Sequence, residues 1–175
     1  MRCALGFLAH TGWAAVVALT DEPRVIHRAR IEIIAGGDRF VYHAAEKLSP
    51  SLAEKRVHAA VADAQERTRE AIAALHKELR VAACGVIVGR TQILPPLDAI
   101  LRSHAMIHTA EGVLYRHLLL EAARELGIAT LAIPAATVAK HKERKRIDAL
   151  GKSLGPPWAK DQKESALAAW LALRG

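Results

Sequence analysis

Aromatic residues are scarce: two Phe, two Tyr and three Trp make up 4% of the 175 residues. A groove that holds single strands by stacking needs aromatic platforms on its surface, and this chain has few to spare from its interior. Arg39-Phe40-Val-Tyr42-His43 does bring aromatic and cationic groups together, but a core role for Phe40 and Tyr42 is the simpler reading. Cysteine is scarcer still, with only Cys3 and Cys84, each inside an apolar run. Two thiols this far apart make neither a disulfide framework nor a zinc site, so both read as small core residues and imply a cytoplasmic protein. No apolar run approaches the roughly 18 residues that span a bilayer. Only Arg2 precedes the run Cys3-Ala-Leu-Gly-Phe-Leu-Ala, which is too short for a secretory segment and reads as a first buried strand. There is no Gly-rich phosphate loop, no Gly-x-Gly-x-x-Gly and no Gly-x-Ser-x-Gly, which leaves nucleotide-binding and serine-hydrolase readings without support. Internal repeats and low-complexity tracts are also missing.

What is present is an ordinary globular composition, 51% hydrophobic and 25% charged, long enough for one domain over residues 1–175 with its own core. The net charge of +7 points to a polyanionic partner. Part of that charge is clustered, because Lys140, Lys142, Arg144, Lys145 and Arg146 lie in seven residues with one acid, Glu143. A solvated helix or loop face would give the same run.

Hydrophobic period divides the chain. Residues 3–9 and 13–19 are apolar and separated by His10-Thr-Gly12; residues 24–34 alternate, with Val25, His27, Ala29, Ile31 and Ile33 on one face. This predicts three short strands in an antiparallel meander, broken by Ala35-Gly-Gly-Asp38. Ser51-Leu-Ala-Glu54 has the form of a capping box, and apolar residues then recur at helical spacing to about Arg80. Residues 81–89 read as a buried strand, 97–101 as a short helix after Pro95-Pro96, 104–126 as a helix ended by Gly127, and 128–133 as a strand stopped by Pro134. The basic segment and a final helix follow. The order β-β-β-α-β-α-β-α-α predicts an α/β fold: a mixed sheet, three antiparallel strands and then parallel ones, with helices on both faces.

The final helix opens with Asp161-Gln-Lys-Glu164. Two carboxylates three residues apart project from one side of a helix, a spacing at which they can share a divalent cation. Acids at a helix start also simply offset the macrodipole.

Four stretches, in chain order, resemble the RuvC-type Holliday junction resolvases of the ribonuclease H-like superfamily. Ala4-Leu-Gly6-Phe-Leu-Ala-His10-Thr11-Gly12-Trp13 resembles their opening strand and turn. Ala110-Glu111-Gly112-Val-Leu-Tyr, with Glu125-Leu-Gly127-Ile-Ala downstream, resembles their central helix. Ile133-Pro-Ala-Ala-Thr137-Val138-Ala-Lys140 is similar to the segment after the following strand, and Asp161-Gln-Lys-Glu164-Ser-Ala to the start of their last helix. The resemblance implies a ribonuclease H-like fold, a DNA partner (branched or duplex) and phosphodiester hydrolysis by two Mg²⁺ ions. Those ions would be held by an acid on the first strand, one at the end of the fourth and a pair on the last helix.

Asp161 and Glu164 match the terminal pair and are the expected metal ligands. The first-strand position carries Phe7, Leu8 and Ala9, with His10 the nearest polar residue, and the fourth strand ends in Val88-Gly89-Arg90. Mg²⁺ prefers oxygen ligands, so His10 suits a softer ion such as Mn²⁺ better. The expectation is a nucleic-acid-binding protein with an incomplete two-metal nuclease site. Its catalytic candidates are Asp161, Glu164 and His10, and Lys140, Lys142, Arg144, Lys145, Arg146 and Arg90 are its phosphate contacts, with Arg28 and Arg30 as additions. A rearranged, metal-dependent endonuclease that recruits Asp98 or Glu111, and a non-catalytic homodimeric module, are the alternatives. His104-x₃-His108-x₂-Glu111 would project from one helix face and with a fourth group could bind zinc; a polar helix face is the simpler account.

Overall fold

A computed structural model describes residues 2–36, 38–90 and 93–175 of the chain. Strands β1 (Cys3–His10), β2 (Trp13–Thr20) and β3 (Val25–Glu32) form the expected meander. The β1–β2 connection is the two-residue turn Thr11-Gly12 between paired His10 and Trp13. Gly12 sits there at φ +82°, a left-handed conformation that favours glycine. Gly37 of the expected sheet-breaking turn lies outside the described residues. Strands β4 (Ala83–Val88) and β5 (Ala129–Pro134) complete a five-stranded sheet of order β3-β2-β1-β4-β5. Pairs β1–β2 and β2–β3 are antiparallel, whereas β1–β4 and β4–β5 are parallel.

The central strands are covered on both faces, which is why they read as continuous apolar runs, not as alternating ones. Cys3, Leu5 and Phe7 of β1, with Val16 of β2 and Val86 of β4, pack under helices α1 (Pro50–Leu79) and α3 (His104–Glu125). Fully burying side chains of this size contributes about 1.5–3 kcal/mol each. Ala4, Val17, Leu19, Ala83 and Ile87 face the other way, toward α6 (Lys160–Ala172). Helix α2 (Leu97–Leu101) precedes α3, and α4 (Ala135–Lys140) and α5 (Arg144–Ala149) lie between β5 and α6. Among the described residues no helix is long and apolar enough to cross a membrane. Cys3 and Cys84 are both buried and free, and burial pushes the Cys84 thiol up to about 12.

Helix α6 lies unusually close to the sheet because both sides of the contact are small. Gly6 and Gly85 are paired neighbours on β1 and β4. A Cβ at Gly6 would stand 1.8 Å from the Ser165 carbonyl oxygen, and one at Gly85 would stand 2.3 Å from that of Ala168. The helix presents Ser165, Ala166, Ala168 and Ala169, all fully buried, to this seam. Ser165 Oγ donates to the Ala15 carbonyl at 3.2 Å, which fixes the helix along its own axis.

Three local expectations need correction, one of them the core role of Phe40, which is exposed while Tyr42 is buried. The first long helix starts at Pro50 with Ser49 as its N-cap, and no side chain caps it, so Ser51 and Glu54 form no capping box. Proline at the first helical position already has the required φ and no N–H to satisfy, which moves the start two residues back. Thr68, absent from the apolar stripe, is fully buried within it because its hydroxyl donates to the Ala64 carbonyl at 2.6 Å.

Candidate functional site

The close seating of α6 brings its first turn to the end of β1. Alternation along β1 turns Leu8 and His10 to the same face as Gly6, the face on which α6 lies. Asp161 Oδ2 stands 3.0 Å from His10 Nε2, off the line of a hydrogen bond, and Nε2 has no hydrogen-bond partner among the described residues. The His10 ring stacks on Trp13 with centroids 4.1 Å apart, and the Arg30 guanidinium covers the indole at 4.1 Å. Sequence reasoning thus placed His10 and Asp161 in one site, and the structure brings them together.

Glu164 has cations for neighbours. Its carboxylate, mostly buried, lies 3.8 Å from Arg144 Nη2 and 4.0 Å from Lys160 Nζ. At the end of β4, Gly89 carries no side chain, and the Arg116 guanidinium fills the space above it: Nη1 is 2.8 Å from where a Cβ would stand. Arg116 reaches there from α3 across Gly112, where an added Cβ would meet Nη2 at 2.9 Å. Burial holds the Arg116 guanidinium below its ordinary pKa, and no carboxylate pairs with it among the described residues. Arg116, Gly89, Arg90 and His117 border a cavity of about 280 Å³ whose lining includes no acid. Arg116 escaped sequence reasoning; the small residues Gly89 and Gly112, which make room for its head group, were the available signal.

Two Mg²⁺ ions need several convergent carboxylates to offset their mutual repulsion. The residues present do not fit that group. One acid faces a histidine and the other faces two cations; where the resemblance implies further acids, β1 offers Leu8 or His10 and β4 runs into Gly89 beneath a guanidinium. Asp98 and Glu111 do not supply the difference. Asp98 is exposed and bonded to Arg102 at 2.6 Å, and Glu111 is buried against the backbone N–H groups of Tyr42 and His43.

The basic segment is split between α4, α5 and the turn joining them. Lys140, Lys142 and Lys145 are exposed and form no ion pair among the described residues. Arg146 is also exposed and lies 3.4 Å from Glu143, while Arg144 is partly buried between Asp148 and Glu164. Arg28 serves the loop before α6. It donates to the carbonyls of Leu154, Gly155, Pro156 and Pro157 at 2.7–3.3 Å. Its five donors in a planar fork are suited to gathering several carbonyls.

His104 and His108 occupy the first turns of α3 with Nε2 atoms 3.1 Å apart, and His43 approaches them from the short turn His43–Ala45. Glu111 accepts the backbone N–H groups of Tyr42 at 2.7 Å and His43 at 3.4 Å. Burial raises its carboxyl above the usual range in spite of those bonds.

The sheet order, the crossover helices and the last helix against β1 and β4 define a ribonuclease H-like fold. Among solved structures the chain is similar to the RuvC of T. thermophilus in complex with Holliday junction substrate. The two share 14% identity over 97% of this chain and 91% of that one, with a TM-score of 0.58. A second Thermus thermophilus RuvC structure matches over the same shares at 10% identity and a TM-score of 0.55. At such identities the likeness establishes the RuvC form of the fold. No protein-family model matches the chain, and no curated protein matches it in sequence.

Proposed function

We propose that this chain is a nucleic-acid-binding protein of RuvC-like fold with an incomplete two-metal site, and that branched or duplex DNA is its partner. The observation that carries this reading is the charge at the end of β4. Where the resemblance calls for an acid, Gly89 lies under Arg116 in a cavity bordered by Arg90 and His117 and by no carboxylate. A guanidinium short of acidic partners suits a phosphate, which accepts its planar donors in pairs. Exposed Lys140, Lys142 and Lys145 extend the cationic surface beside α6. One of the similar structures is a RuvC in complex with Holliday junction substrate, which supports branched DNA as the first ligand to try.

Binding through phosphates releases condensed counterions, so affinity should fall with salt at a log–log slope of roughly −0.9 per phosphate neutralised on duplex DNA. Fluorescence anisotropy on a four-way junction and on a linear duplex, at several salt concentrations, tests this. Steep salt dependence is expected; absent or salt-insensitive binding removes the reading. A tight homodimer with no DNA affinity would favour an interaction module instead.

One observation favours a second reading. His10 Nε2 and Asp161 Oδ2, 3.0 Å apart, are a nitrogen and an oxygen close enough to share one ion of the Mn²⁺ type. That reading requires Mn²⁺-dependent cleavage abolished by Asp161→Asn; cleavage that survives the change comes from elsewhere.

A further inference from the structure

We infer that His43, His104 and His108 form a zinc site, on the opposite face of the sheet from Asp161, with Glu111 as the residue that positions His43. Each histidine offers a ring nitrogen, and the three nitrogens lie within 4.8 Å of one another. His104 and His108 are an i, i+4 pair on α3, which places both rings on one side of the helix. The ring centroids of the three are 4.6–5.3 Å apart, all edge to face.

Zn²⁺ binds imidazole at about 2.0–2.1 Å in tetrahedral geometry, which sets ligand nitrogens roughly 3.4 Å apart. The His104–His108 separation of 3.1 Å is already near that value. Both rings are exposed and free to rotate by the remaining amount, whereas His43 is the fixed member. Its backbone N–H and that of Tyr42 both donate to Glu111 Oε1.

Unmet polar atoms provide an independent observation that points to a ligand. Glu111 is 3% exposed, and its Oε2 has no hydrogen-bond partner among the described residues. His43 Nδ1 is likewise buried without a hydrogen bond, 3.6 Å from Glu111 Oε1. A slight approach lets Nδ1–H donate to that carboxylate, which leaves the Nε2 lone pair to a metal. Carboxylate, histidine and metal in series is how proteins commonly orient a histidine ligand. A dication a few ångströms away would also offset the cost of an ionised carboxylate in the core. Three imidazoles suit a borderline ion such as Zn²⁺ better than Mg²⁺. With three protein ligands the fourth position stays open to water.

The test is a competition titration of the full chain with Zn²⁺ against a chromophoric chelator, together with the visible spectrum after Co²⁺ loading. One ion per chain and the intense bands of four-coordinate Co²⁺ are expected. Both should vanish in the His104→Asn, His108→Asn double variant, whose changed residues are exposed and whose folding is checked by circular dichroism. Glu111→Gln should weaken zinc about 10–100-fold, and His58→Asn should leave it unchanged. Native protein that binds no zinc, or a double variant that binds it as well as native, overturns the site. Unaltered affinity in Glu111→Gln overturns the positioning role.

Discussion

Replacing Gly6 with alanine is the most informative single perturbation of the fold, because it strikes the seam that sets the candidate site. The new Cβ would stand 1.8 Å from the Ser165 carbonyl oxygen and 2.4 Å from the Ala169 nitrogen. Both are backbone atoms, so no side chain can swing away, and α6 must withdraw by roughly 1 Å or more to reach an allowed contact. A gap of that width forfeits about a quarter to a half of the dispersion energy along the contact. The helix buries Leu167 and Trp170 there along with four alanines. Overpacking in a core typically costs about 1–3 kcal/mol, and a backbone obstacle puts this case at the top of that range or beyond. Gly127→Ala is the matched control: its φ is +71° and nothing lies within 4 Å, so it carries conformational strain alone, about 1–2 kcal/mol. Urea unfolding of both variants provides the comparison. Gly6→Ala should lose clearly more stability than Gly127→Ala, and the environment of Trp13, stacked on His10, should change with it. Equal or smaller loss in Gly6→Ala would refute the close-seam argument.

Other outcomes follow from the same geometry. Arg28→Ala removes four carbonyl contacts from residues 154–157; partial exposure limits the cost to about 1–2 kcal/mol, and faster proteolysis of that loop should accompany it. Changing Lys140, Lys142 and Lys145 together to alanine should flatten the salt dependence of DNA binding by roughly 0.9 for each lysine that touches a phosphate, and leave the unfolding midpoint nearly unchanged. The Cys84 thiol, raised by burial to about 12, should resist thiol reagents in the native protein and react only once denaturant exposes it. Its linkage has a definite sign. The unfolded chain gives up this proton first, so the contribution is intact below about pH 9 and is lost as pH rises toward 12. Cys84→Ala should show a shallower alkaline fall in stability.

The elements were legible where one physical signal dominated. Alternation in residues 24–34 marked a strand with one wet face, which the sheet order places at an edge, and the unbroken apolar runs of β1, β2 and β4 marked buried strands. The α1 start was misplaced because Pro50 competes with Ser51 as the signal. Asp161 and His10 could be matched because each stands beside a recognisable stretch. What pairs with Glu164 could not be read, since Arg144 and Lys160 reach it by the fold of α5 against α6. The role of Arg28 was invisible for a similar reason, as its carbonyl partners lie more than 120 residues away. His43 meets His104 and His108 only through the packing of the turn after β3 on α3. Local spacing exposes periodicity and caps; it does not expose which distant backbone comes to rest against them.

If cationic groups at the end of β4 bind nucleic acid in place of a metal-binding acid, removing them must weaken that binding. The direct measurement is junction-DNA affinity of the Arg90→Ala, Arg116→Ala double variant against native protein across salt concentrations, with Mg²⁺ present and the DNA checked for breaks. Weaker binding by the variant with a shallower salt slope, and intact DNA in both cases, are expected. Unchanged affinity and slope, or Mg²⁺-dependent cleavage by the native protein that Asp161→Asn abolishes, would contradict this reading.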